Sequence, residues 1–254
     1  LYEALDKYAA IRAIKSIEGK LEKMQRQIDF KIVAAVQLFL DKMINGDIAS
    51  DEKEFDGLDK MLVGTENEIN TDSYLDLSDI TNLKANADQF YEMLTNLINR
   101  TNADAIMCNQ DMITKIQTVA RVLGYKTESE EAFGRTVTSI NGVRMIDLKN
   151  KYKVTGEGDE AVATKEAIIG KKSRKFGEGE AEVNVTGLTD IYAVHFDVDE
   201  GFTGCSVQGD KVINKYLPDF SAPGAVKTGE VEMVAAVCLK NTQNAGVLRN
   251  IKIA

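Results

Sequence analysis

One histidine, His195, and three cysteines, Cys108, Cys205 and Cys238, are the residues of this chain best suited to nucleophilic or metal chemistry. A thiol beside an imidazole makes an activated nucleophile, and His195 with Cys205 is the pair the sequence offers. Nothing between them supplies a third group to orient that pair. A single histidine also excludes a helical His-x-x-x-His zinc pair and a two-histidine iron site. Cys108 closes the apolar tetrad Ala105–Cys108, and Cys238 lies in the apolar run from Val234 to Leu239. Both read as small buried hydrophobes. Cys205 stands between Gly204 and Ser206 and is the more open of the three.

Phosphate chemistry has two candidate loops. Gly156-Glu-Gly158-Asp-Glu-Ala161 fits the glycine-rich dinucleotide spacing, but it sets three carboxylates where a pyrophosphate needs donors. A flexible loop is the better reading. Gly170-Lys-Lys-Ser173 has the ending of a phosphate-binding loop, yet Lys165 occupies the position of its required earlier glycine. What is left is a basic patch from Lys171 to Lys175 with Arg174, suited to phosphate, to an acidic neighbour or simply to solvent. From Asp51 to Asp79 ten acidic residues face two lysines. A cation or basic partner would suit that charge, but no calcium-loop spacing is present, and a solvated loop with a short helix accounts for it. Asn99-Arg-Thr101 and Asn184-Val-Thr186 are glycan acceptor patterns that carry meaning only on a secretory route. No catalytic, cofactor-binding or metal residue is therefore assigned, and the expectation is a protein that is not an enzyme.

The elements that would hold such groups fit a globular chain. It has 254 residues, 44% of them hydrophobic and 28% charged, enough for one large domain or two interlocked ones. A net charge of −9 argues against a general DNA-binding surface. The longest apolar run, Met233 to Leu239, is far short of the roughly 20 residues that cross a bilayer. Three widely spaced cysteines suit a reducing compartment. The sequence opens at Leu1 without a leader pattern.

Periodicity predicts a helix from about Ala9 to Ile44, with Ile14, Ile17, Leu21, Met24, Ile28, Ile32, Val36 (or Ala35), Phe39 and Met43 on one stripe, stopped by Asn45-Gly46. A second helix carries Leu83, Ala87, Phe90, Leu94 and Leu97. Ala105–Cys108 reads as a buried strand, and Asn109 as the N-cap of a third helix closed by Gly124. Asn141-Gly142 between two β-rich tetrads predicts a hairpin with a type I′ turn. Lys151 to Gly187 reads as a long exposed excursion with a short helix at Ala161–Ile169. Ile191 to Val198 alternates as a strand, with His195 on the face opposite Tyr192, Val194 and Phe196. Pro218 and Pro223 mark a loop. Glu232–Leu239 and Val247–Ile253 are predicted as closing strands. Without a βαβ rhythm the class is α+β.

These elements, in this order, resemble the major capsid proteins of tailed bacteriophages with the Hong Kong 97 fold. The resemblance rests on the long helix ending in Ile44-Asn45-Gly46-Asp47, followed by Phe55-Asp56-Gly57-Leu58. It continues through Ala105–Asn109, Phe133-Gly134-Arg135 and Asn141-Gly142-Val143, and closes on Gly229–Leu239 and Gly246–Asn250. It implies an α+β capsid fold with a spine helix in a peripheral domain (1–81 and the returning strands of 227–254) and an inserted axial domain (82–226). It also implies self-assembly as pentamers and hexamers into an icosahedral shell around double-stranded DNA, without sequence-specific DNA binding, cofactor or membrane. Scaffold, portal, maturation protease and a decoration protein would be partners, and the place would be the virion capsid, assembled in host cytoplasm. The family's N-terminal arm and extended loop do not lie in this sequence. Encapsulin-type shells, which share the fold and enclose cargo proteins, are the alternative, followed by a soluble α+β nucleotide-binding enzyme.

Overall fold

The computed structural model describes residues 2–125, 128–132, 135–155, 162–177, 179, 182–207, 211–217 and 228–254. The Gly156–Ala161 motif, Phe133-Gly134 and both prolines lie outside them. In chain order the helix α1 (Tyr2–Asn45) is followed by α2 (Leu58–Met61), β1 (Glu68–Ile69), β2 (Leu75–Asp76), α3 (Ile80–Thr101), β3 (Ala105–Cys108) and α4 (Gln110–Leu123). Then come β4 (Glu128–Ala132), β5 (Arg135–Ile140), β6 (Val143–Asp147), β7 (Asn150–Thr155), β8 (Val162–Ala167), β9 (Lys172–Phe176) and β10 (Val183–Val194). The chain closes with β11 (Phe202–Cys205), β12 (Ile213–Tyr216), β13 (Glu230–Met233), β14 (Ala236–Leu239) and β15 (Ala245–Lys252).

It divides into two compact units, one of residues 1–39 and 206–235, the other of residues 40–205 and 236–254. The domain boundary implied at 81/82 falls in the first turn of α3, and that at 226/227 lies outside the described residues.

The larger unit is built on a mixed sheet in the order β1-β15-β10-β3-β6-β5-β4, with β2 also pairing β15 and β9 pairing β10. α3 and α4 cover one face. Their apolar positions, Leu83, Ala87, Phe90, Leu94, Met112, Ile116 and Val119, pack with Ile106, Ile191, Ala193, Leu248 and Ile251 of the sheet. The caps of α4 are those the sequence predicts, and α3 has an N-cap, Asp79, that is not among the caps expected from sequence. Asp79 accepts from Thr81 and Asn82 N–H, Asn109 from Met112 N–H, and Gly124 closes α4 in the left-handed region. Asn141 and Gly142 both have positive φ, as a type I′ turn between β5 and β6 requires.

Two expected elements change. The helix expected at Ala161–Ile169 is instead β8, paired antiparallel with β7 from Asn150↔Ala167 to Thr155↔Val162. The cross-strand ladder there overrides the helix propensity of Ala, Lys and Glu. The strand expected at Ile191–Val198 ends at Val194, and Ile191 to Val194 are buried on both faces because β10 lies between β15 and β3. The closing run Glu232–Leu239 is likewise interrupted, β13 ending at Met233 and β14 beginning at Ala236.

The end of α1 is fixed by glycines. Gly57 N–H donates to Gly46 O at 2.8 Å, and a Cβ on Gly57 would stand 2.4 Å from Ile44 O, one on Gly46 2.3 Å from Phe55 O. Only two bare backbones fit this crossing, which is the structural content of the spacing Asn45-Gly46…Asp56-Gly57.

Candidate functional site

On the sheet face opposite α3 and α4, six charged side chains from five elements meet. Asp190 is their hub, its side chain 1% exposed. Its Oδ1 accepts from Arg174 Nη1 at 2.7 Å and from Asn250 N–H at 3.1 Å. Its Oδ2 accepts from Arg174 Nη2 at 2.6 Å and Lys172 Nζ at 3.3 Å. Asp59 of α2 accepts from Arg249, from Lys172 at 3.1 Å and from the Tyr192 hydroxyl at 2.8 Å. Glu68 of β1 accepts from Arg249 Nε at 2.8 Å.

A bulge makes this possible. The register of β10 against β15 shifts between Thr189 and Ile191, and Asn250 takes a left-handed φ of 63°. Leu248 and Ile251 therefore both reach the core, while Arg249 points to the cluster. Asn70, itself left-handed, donates to Arg249 O, and Asn250 donates to Asn70 O and Thr71 O, so the loop after β1 is clasped to the bulge.

Burial pulls the Asp190 carboxyl upward, but the Arg174 hydrogen bonds with Lys172 and Arg249 hold it at about 2. Burial likewise opposes ionisation of Asp59, and Lys172 and Arg249 keep it below the usual carboxylate range. The Tyr192 hydroxyl is driven well above its usual value by burial and by the two aspartates. Three cations face three anions, and the adjoining cavity of about 310 Å3 is bordered by two of each, Asp59, Glu68, Arg174 and Arg249, so its charged lining sums to zero. A carboxylate held this low is no general base. The cluster is a lock that joins α2, β1, β9, β10 and β15.

The residues singled out by sequence are distributed elsewhere. His195 lies just past β10, not on a strand face. Its buried Nδ1 is 2.7 Å from Asp104 Oδ2 without the alignment of a hydrogen bond, while Cys205 is exposed on β11. Cys108 is fully buried, which pushes its thiol far above the usual range. The basic patch is consumed by acidic neighbours: Lys171 pairs with Asp111, Lys172 and Arg174 with the cluster, and Lys175 with Glu182. Gly170 leads into strand β9 rather than a helix, so no phosphate-binding loop forms. In the acidic segment, Lys60 sits between Asp47 and Asp56 and Lys42 pairs with Glu54, so lysines supply the cation. Among the described residues no group of three metal-ligating side chains converges. A second cavity, about 510 Å3 beside the start of α4, is bordered by pairs already made, Lys149 with Asp147 and Lys171 with Asp111.

The smaller unit presents a different feature. Ile28 is buried on the helix stripe, yet Phe30, Val33 and Leu38 are 73%, 55% and 58% exposed. At 100° per residue these lie away from the stripe of Ile28, Ile32 and Phe39, so α1 is apolar nearly all round between Phe30 and Leu38. The antiparallel pair β12–β13 belongs to the same unit, with Val207, Val212 and Leu217 exposed around it. Exposed apolar clusters of this kind mark contact surfaces.

No protein-family model and no curated protein matches the chain. Among solved structures it is similar to the SrpI encapsulin of Synechococcus elongatus PCC 7942, determined by cryo-EM as a holo complex, with a TM-score of 0.55 and 13% sequence identity. The similarity covers 90% of this chain, which spans 66% of that protein. At this identity the likeness is one of fold alone: the chain is a mixed α+β protein with a large sheet, and its fold is similar to that of this encapsulin.

Proposed function

We propose that this protein is a shell subunit that assembles with copies of itself, as pentamers and hexamers, into a closed icosahedral compartment of encapsulin type. The observation that carries this reading is the fold likeness to an encapsulin over 90% of the chain. The apolar girdle of α1 between Phe30 and Leu38 supports it, because an isolated subunit leaves that surface in water. A shell needs repeated contacts between copies rather than an active site, and the six charged groups of the Asp190 cluster are engaged with one another. α1 then serves as the spine of a peripheral domain, with the inserted axial domain between residues 82 and 226.

A phage major capsid protein enclosing double-stranded DNA is the second reading, supported by the resemblance of the sequence motifs. Scaffold, portal, protease and decoration partners, and a virion assembled in host cytoplasm, belong to that reading alone. A net charge of −9 and a basic patch tied to acids suit enclosure of DNA without adhesion. Purification of particles with their contents separates the two. Nuclease-protected DNA supports the capsid, a stoichiometric cargo protein supports the compartment, and a monomer that binds a nucleotide contradicts both.

A further inference from the structure

The chain holds two Asn-Gly pairs in opposite surroundings, Asn45-Gly46 and Asn141-Gly142. We infer that Asn141, under the Tyr91 hydroxyl, is a site of slow self-deamidation, whereas Asn45 is protected.

An asparagine loses its amide when the backbone nitrogen of the next residue attacks Cγ, and glycine obstructs that attack least. Asn141 and Gly142 are both exposed, and nothing lies within 4 Å of the position a Cβ on Gly142 would take. The ladder of the hairpin closes at Ile140 and Val143, leaving the Gly142 N–H outside it. Asn141 Nδ2 donates to Thr95 Oγ1 only at a long, exposed 3.4 Å, while Tyr91 donates its hydroxyl to Asn141 Oδ1 at 2.9 Å. That oxygen gathers negative charge as the nitrogen adds to Cγ, so the Tyr91 O–H sits where a developing oxyanion is stabilised. Tyr91 is held in place by its stack on Tyr125, ring centroids 4.7 Å apart.

The atoms balance with water as co-reactant. The Gly142 nitrogen gives its proton to solvent and bonds to Cγ. The Cγ–Nδ2 bond breaks, and ammonia leaves with a proton from solvent. Water then opens the cyclic imide at either carbonyl, giving an aspartate or an isoaspartate at position 141. The isoaspartate lengthens the main chain inside a two-residue turn and disturbs the β5–β6 register.

At Asn45 the amide nitrogen, the next N–H and the space for a ring are all taken. Its Nδ2 donates to Asp41 Oδ1 at 2.8 Å and Ile168 O at 2.9 Å, and the Gly46 N–H is tied to Lys42 O at 2.9 Å. Gly46 is buried against backbone atoms that leave no space for the imide ring.

The test is peptide mapping by mass spectrometry of the intact chain held at mildly alkaline pH, with isoaspartate scored by enzymatic methylation. The expected result is accumulation of acid at position 141, part of it as isoaspartate, while Asn45 keeps its amide until urea unfolds the protein. Tyr91→Phe, which keeps the ring stack, should slow the conversion several-fold with an unchanged circular dichroism spectrum. Tyrosine fluorescence gives a second readout, since the chain has no tryptophan, with Asn141→Asp as the end-point reference. Retention of the Asn141 amide in the folded chain while the urea-unfolded chain converts would overturn the inference. So would equal rates at both asparagines in the folded protein, or an unaltered rate in Tyr91→Phe.

Discussion

The two units of this chain solve the burial problem in opposite ways. The larger one covers a sheet with α3 and α4 on one face and fixes the other with charges that neutralise one another around Asp190. The smaller one, with 38 residues of α1 and the β12–β13 ribbon, leaves Phe30, Val33, Leu38 and Leu217 to solvent. A two-stranded ribbon is marginal by itself in water, and an apolar girdle on a helix is stable only when covered. On the proposed assembly, stability and association fall to different parts of the sequence: substitutions in the larger unit should change folding, and those in the smaller one should change assembly.

The largest effect is expected at the hub. Asp190→Asn leaves Arg174 and Lys172 without their buried counter-charge and should cost about 3 kcal/mol in urea unfolding. The pH dependence carries its own sign. The Asp190 carboxyl is lowered from 3.8 to about 2 on folding, so its stabilisation is complete above the unfolded value and is lost as pH falls through the folded one. That amounts to roughly 2 kcal/mol disappearing between pH 5 and 2, and Asp190→Asn should flatten this part of the profile. An unchanged acid limb would remove Asp190 from the lock.

Next in size, Gly57→Ala forces a Cβ against Ile44 O and should cost about 1–3 kcal/mol, with loss of helical signal from the end of α1. Wild-type melting would show that the crossing of the two glycine backbones relaxes freely.

Leu38→Glu and Phe30→Glu sharpen the contrast. Both positions are exposed in the subunit, so thermal stability of the unassembled chain should move by no more than about 0.5 kcal/mol. Sedimentation should nevertheless show loss of large particles. Particles of normal yield would assign the girdle no role in contacts between copies.

The smallest effects belong to the residues with the most reactive chemistry. His195→Ala and Cys205→Ser should assemble normally, within about 0.5 kcal/mol of the parent. A thiol reagent should modify exposed Cys205 first, Cys238 more slowly, and Cys108 only on unfolding, because burial keeps that thiol protonated.

Much of the frame was legible in local patterns. The helix running to Asn45 with Ile28 and Met43 buried, the caps Asn109 and Gly124 and the turn Asn141-Gly142 each follow from spacing within one element, while the side chains of Ile14, Ile17 and Leu21 lie outside the described residues. The lock was not legible, because Asp59, Glu68, Lys172, Arg174, Asp190 and Arg249 come from five elements with no shared spacing. Its one local trace is a charge set inside an apolar strand: Asp190 within Leu188–Val194 and Arg249 within Val247–Ile253. A buried strand tolerates such a charge only with partners, which makes each a pointer to the other. The β7–β8 ribbon was hidden for a different reason. The Ala, Lys and Glu of β8 favour helix locally, and only its pairing with β7 selects strand.

The central claim, self-assembly through the exposed surface of the smaller unit, is tested most directly by negative-stain electron microscopy of the purified chain, with velocity sedimentation of the same sample. Closed, uniform particles in the megadalton range are the predicted result. A homogeneous monomer, in every ionic condition and with scaffold or cargo supplied, would contradict it.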